Sequence, residues 1–203
     1  LETELLPAMQ LEFPGIYWSF EGEKSEQAET IASLQYLYII ALIIIYALLA
    51  IPFNSYIQPI IVMAAIPFGL IGAVWGHVLM GMEVTILSGF GVVALTGVVV
   101  NDSLVMVDYV NRKRGIGLSE MESARQAGLS RFRPILLTSL TTFAGLTPLL
   151  LEKSLQAKFL VPMGISLGFG VIFATVITLI LVPAMYLILE DIRTLLFGPE
   201  DKL

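Results

Sequence analysis

The stretch VVVNDSLVMVDYVNRKR, Val98 to Arg114, begins as an apolar run, sets Asn101 beside Asp102, adds Asp108 and ends on three basic residues. Read as a helix at ~1.5 Å per residue, it places Asp102 roughly 15 Å from Arg112. If the run crosses a bilayer, that depth is close to the middle of the ~30 Å hydrocarbon layer. A charged Asp at such a depth costs at least ~2.5–3.5 kcal/mol. A partner, water or protonation has to offset that cost. A carboxyl group that can take up and release a proton at mid-membrane is the physical requirement for a proton relay.

Composition supports a membrane setting for this run. Of 203 residues, 57% are hydrophobic and only 14% are charged. Soluble domains carry about 25% charged residues. The chain has no cysteine, which excludes disulfides, thiol nucleophiles and thiolate metal sites, and its one histidine, His77, argues against a histidine-based metal centre. The opening LETELLPAMQ lacks an initiator Met and a signal-peptide pattern, so the chain reads as part of a longer protein.

Working outward from Asp102, five apolar spans are expected, at about 34–51, 57–80, 84–110, 135–151 and 159–189, each near or above the ~20 residues a crossing helix needs. Together they make an all-α membrane domain over 31–189, followed by a cytoplasmic tail at 190–203. Residues 1–30 differ: MQLEFPGIYWSFEGE alternates like a strand and is bounded by Pro and Gly. It is expected to be a small β remnant of a periplasmic domain leading into the first helix. Between the third and fourth spans, GLSEMESARQAGLSRFRP carries Ser119 and Glu122 at capping-box spacing and Gly128 as a helix stop. This predicts a short amphipathic cytoplasmic helix at about 118–128. Of the 11 Lys and Arg residues, this topology puts eight inside and three outside, so the N-terminus is expected outside and the C-terminus inside. Gly72 and Gly76, and Gly164 and Gly168, are four apart and suit close helix packing.

Candidate partners for Asp102 come from the fourth span. Thr138, Thr141 and Thr142 share one helix face by their i, i+3, i+4 spacing. Thr142, counted from Arg133, lies roughly 13 Å deep, close to the level of Asp102. Asn101 and Asp108, seven apart, share a face that could line a path to the cytoplasm, whereas Asp102 points about 100° away from Asn101. Plainer readings stand beside these. Asn101 and Ser103 serve as interhelical hydrogen-bond glue, Asp108 meets water or Arg112, His77 is an ordinary interfacial residue, and the threonines bond back to their own helix.

GVVVNDSLVMVDYVNRKRGIGLSEMESARQAGLSRFRPILLTSLTTFAGLTPLL resembles the C-terminal membrane half of resistance–nodulation–division (RND) efflux permeases. The order of segments is similar along essentially the whole chain, and NDSLVMVDY together with RFRPILLTSLTT carries the likeness. The resemblance implies half of a proton-driven secondary transporter, not an enzyme, in the bacterial inner membrane. Such a pump exports small hydrophobic or amphiphilic compounds and confers multidrug resistance. It also implies a homotrimer that works with the N-terminal half of the same permease, a periplasmic adaptor and an outer-membrane channel, with no cofactor, metal or nucleic acid. In drug-exporting members a Lys stands on the third span of this half. Here that position is Asn101, followed by Asp102. The relay threonine of the next span matches Thr138, and an Arg ahead of it, implicated in proton access, matches Arg131. The expected relay is thus Asp102, Asn101, Thr138, Thr142, Asp108 and Arg131.

Three rivals remain at this level. A related protein-export membrane component would share the bundle and the use of protons. A scaffold half that has lost transport chemistry would explain Asn101 in place of Lys. An intramembrane aspartyl protease needs carboxylates from two facing helices, whereas Asp102 and Asp108 lie on one, and GxGD is absent.

Overall fold

The computed structural model describes residues 22–154 and 156–197. The chain divides into two compact units between Tyr36 and Leu37. Helix α1, Glu23–Phe53, crosses that division. Within the second unit it is followed by α2 (Gln58–Met63), α3 (Ile66–Met80), α4 (Ile86–Gly115), α5 (Glu120–Leu151), a 3-10 turn (Ala157–Phe159) and α6 (Val161–Phe197). Among the described residues, five segments are long and apolar enough to cross a membrane: α1, α2 with α3, α4, α5 and α6. There is no strand among the described residues, and the expected β remnant lies largely outside them. The polar run EKSEQAET is the start of α1.

Two expected boundaries are corrected. The segment at 118–128 is not a separate helix, because α5 runs unbroken from Glu120 to Leu151. Gly128 stays helical, and Pro134 is accommodated inside the helix. Its ring removes one backbone donor and crowds the carbonyl four residues before it, yet the helix continues. The Ser119 side chain does cap this helix, accepting from Glu122 N at 3.3 Å. At the other end, α6 continues to Phe197, so the expected tail at 190–203 is helical for its first eight residues. The second span, by contrast, is broken. Ala64 and Ala65 separate α2 from α3, and Pro67 sits in the first turn of α3, where its missing N–H costs nothing.

α6 lies at the centre, packed on α3, α4 and α5. Lipid tails are as apolar as leucine, so close contact and small residues hold such helices together. Gly72 and Gly76 of α3 meet Phe173 and Phe169 of α6 at distances that leave no room for a Cβ. Gly81 ends α3 in a left-handed conformation, φ +62°, which glycine adopts without strain. α1 contributes one face, in which Leu42, Ile45, Leu49 and Phe53 pack on a core formed with Val107, Val110 and Tyr186. Tyr38 Oη and Thr96 Oγ1, 2.8 Å apart, add a hydrogen bond. Past the end of α5, Glu152 Oε1 accepts from Lys153 N and Ser154 N, both at 3.0 Å. These backbone bonds hold the Glu152 carboxyl below its ordinary range, that to Ser154 counting most.

Candidate functional site

The buried face of α4 follows helical spacing: Leu95, Val99, Asp102, Met106 and Val110 on one line, with Thr96, Ser103 and Val107 beside it. Asp102 stands where a core apolar residue would stand, and only 9% of it is exposed. It occupies the gap between two apolar clusters. Leu95 and Val99 belong to one, with Val171 and Ala174 of α6. Met106, Val107 and Val110 belong to the other, with Val182 and Tyr186. Thr178, four residues after Ala174 and four before Val182, holds the corresponding level on α6 and is fully buried.

Around this level the bundle carries a belt of buried hydroxyls. Ser139 Oγ of α5 and Thr175 Oγ1 of α6 are 2.5 Å apart. The Ser103 Oγ is buried without a hydrogen-bond partner among the described residues. Asp102 likewise makes no hydrogen bond among the described residues, which surround this carboxylate with hydroxyl-bearing helices but give it no donor.

The other expected relay residues fall elsewhere. Asn101 is exposed, turned off the buried face. Thr138 and Thr141 are exposed and Thr142 is half-buried. All three hydroxyls are given to carbonyls of their own helix: Thr138 to Ile135 O at 2.8 Å, Thr141 to Leu137 O at 2.9 Å and Thr142 to Thr138 O at 2.8 Å. Asp108 pairs with Arg112 at 2.6 Å one turn away. Arg131 lies over the Tyr109 ring, 5.1 Å from its centre, and its Nε is buried without a hydrogen-bond partner among the described residues. No hydrogen bond joins Asp102 to Asn101, Thr138 or Thr142. Sequence reasoning chose Thr138, Thr141 and Thr142 and passed over Ser139. Four hydroxyls crowd into five residues, and their order does not say which face is inside.

Two further polar groups stand apart from Asp102. His77 is a buried residue, not an interfacial one, at 3% exposure. Its Nδ1 lies 2.9 Å from Ala73 O and its Nε2 2.8 Å from Ser88 Oγ. A carbonyl can only accept, so Nδ1 carries a proton, and Nε2 meets the Ser88 hydroxyl, a group able to donate or accept. Ser88 in turn accepts from Thr85 N at 3.0 Å, tying α3 to the start of α4. At the opposite end, Gln58 and Asn111 exchange amide hydrogen bonds at 3.2 and 2.8 Å. Tyr186 Oη donates to Asn111 Oδ1 at 2.9 Å. Arg114 donates to Tyr186 Oη at 3.2 Å, to Glu190 at 2.9 Å and to Glu120 at 3.1 Å. This network joins α2, α4, α5 and α6.

Among the described residues the bundle buries two carboxylates, Asp102 in its middle and Glu190 at the Arg114 end. Residues 4–190 match the AcrB/AcrD/AcrF family. The chain belongs to that family of RND efflux permeases and is a multi-pass membrane protein. Among solved structures it is similar to a heavy metal efflux pump in two crystal forms. Identity is 28% with a TM-score of 0.75 for one form, and 27% with a TM-score of 0.73 for the other. Both matches cover 94% of this chain and 19% of the pump's chain, so the chain spans about a fifth of that protein's length.

Proposed function

We propose that the chain is the C-terminal membrane half of a proton-driven efflux transporter and that Asp102 is a site where protons bind and leave. The observation that carries this is the burial of Asp102 on the packed face of α4 without a hydrogen-bond donor among the described residues. An ionised carboxylate so placed is costly, so the group is poised either to be protonated or to meet a donor from the other half of the permease. Ser103, Thr175 and Thr178 offer hydroxyls near its level. Asn101 and Thr138 are exposed and Asp108, Thr142 and Arg131 are half-buried, at an edge of this half that a facing helix could reach. In this reading they line the approach of the proton rather than its resting place.

The proposed orientation puts the Arg112–Arg114 end in the cytoplasm, in the bacterial inner membrane, with a homotrimeric pump, a periplasmic adaptor and an outer-membrane channel completing the route. The proposed cargo is small hydrophobic or amphiphilic compounds. A second reading, metal ions, is favoured by the similar heavy metal efflux pump. Efflux assays on cells carrying the full-length permease test both readings. Asp102→Asn should abolish efflux at unchanged membrane expression. Resistance to detergents and dyes supports the first cargo, and resistance to metal salts alone supports the second.

A further inference from the structure

A groove of about 680 Å³ runs between α5 and α6, outside the region of Asp102. Its walls include Met121, Leu129 and Phe132 of α5 and Ile180 and Leu187 of α6, with Arg125 at one end. Along α6 the lining extends from Val176 to Leu187. Eleven residues rise about 16 Å, which is half of a ~30 Å hydrocarbon layer. Met121, Leu129 and Ile180 are each at least 66% exposed. The groove is therefore apolar, open along its side, one leaflet long and cationic at the end nearer the membrane surface.

We propose that this groove holds an anionic phospholipid of the leaflet on the Arg112–Arg114 side, an acyl chain lying along α6 and the phosphate on Arg125. Length and charge together select this occupant. A half-membrane apolar channel with a guanidinium at its mouth matches one lipid, and basic pockets between membrane helices on the cytoplasmic side bind such headgroups. Arg125 is already engaged by Glu122, at 2.8 Å. Glu122 holds Nε and Nη2 of Arg125, at 2.9 and 2.8 Å, and Nη1 keeps its protons for a phosphate at this solvent-exposed end. Gly128 also lines the groove, and a Cβ built on it meets nothing within 4 Å. The space beside it is open, and a larger side chain there fills the groove without disturbing the helix.

The test uses the full-length permease in nanodiscs of phosphatidylcholine with a minor share of phosphatidylglycerol, with bound lipid counted by native mass spectrometry after release into mild detergent. Wild type should retain phosphatidylglycerol in preference to phosphatidylcholine. Arg125→Ala should lower that preference at least threefold, and Gly128→Leu should remove one retained lipid per protomer while the melting temperature holds. If Gly128→Leu does not fold, Ile180→Trp fills the same space from the other wall. Equal lipid retention in wild type, Arg125→Ala and the filled variant overturns the proposal. So does efficient cross-linking of a cysteine at Gly128 to another part of the permease, which would show that protein covers the groove.

Discussion

Asp102 and Ser103 are neighbours on the buried face of α4, and neither has a hydrogen-bond partner among the described residues. They should nonetheless respond differently to substitution. Removing the Ser103 hydroxyl relieves an unpaired buried polar group, so Ser103→Ala should leave the melting temperature of the full permease unchanged or raised. Ser139→Ala takes a partner from Thr175 and should destabilise by about 1 kcal/mol, whereas Thr138→Val removes only a bond to its own helix and should cost less. Thermal melts of the three variants check the order. Asp102 itself was legible in the sequence, because depth along an apolar helix needs only residue counting. The hydroxyls that accompany it were not. In LLTSLTTF the identities of Thr138, Ser139, Thr141 and Thr142 are visible, but the face that meets α6 is a property of packing. His77 was misread for a similar reason, since its burial depends on Ser88, 11 residues away across a turn.

The five spans were legible because length and apolarity determine crossing helices, but their ends were not. Gly128 and Pro134 look like stops, yet a glycine is tolerated inside a helix and a proline withdraws one donor. Neither outweighs continuous packing of Ala127 and Ile135 into the core. The α3–α6 contact depends on glycine more strictly. Gly76→Leu would drive a side chain into Phe169 and should prevent stable insertion or assembly, while Gly97→Ala, with nothing within 4 Å of its Cβ, should be tolerated. Size-exclusion chromatography of the purified variants distinguishes the two. At the Arg114 end, Arg114→Met leaves Glu190, only 7% exposed, without its guanidinium. Removing one side of a largely buried pair destabilises, so this variant should melt below wild type. Glu190→Gln, which retains a hydrogen-bond acceptor, should lose less.

At the scale of the whole molecule, the family follows from the sequence match and the bundle, and the proposed topology follows from the basic residues. Cysteines at Ser119 and Ser154, both exposed and at opposite ends of α5, should be labelled by a membrane-impermeant reagent from opposite sides; labelling from one side contradicts the proposed orientation. The proposed partner of Asp102 stands on the other half of the permease. The direct test is therefore made on the complete pump. Wild type and Asp102→Asn are reconstituted into proteoliposomes with a pH-sensitive dye inside, and substrate-dependent proton movement is followed between pH 6 and 8. The substitution keeps size and hydrogen-bonding capacity and removes titration. Proton movement and transport should both vanish in Asp102→Asn while the protein folds and assembles as wild type. Proton movement near the wild-type rate across that range would contradict the assignment of Asp102 as a proton site.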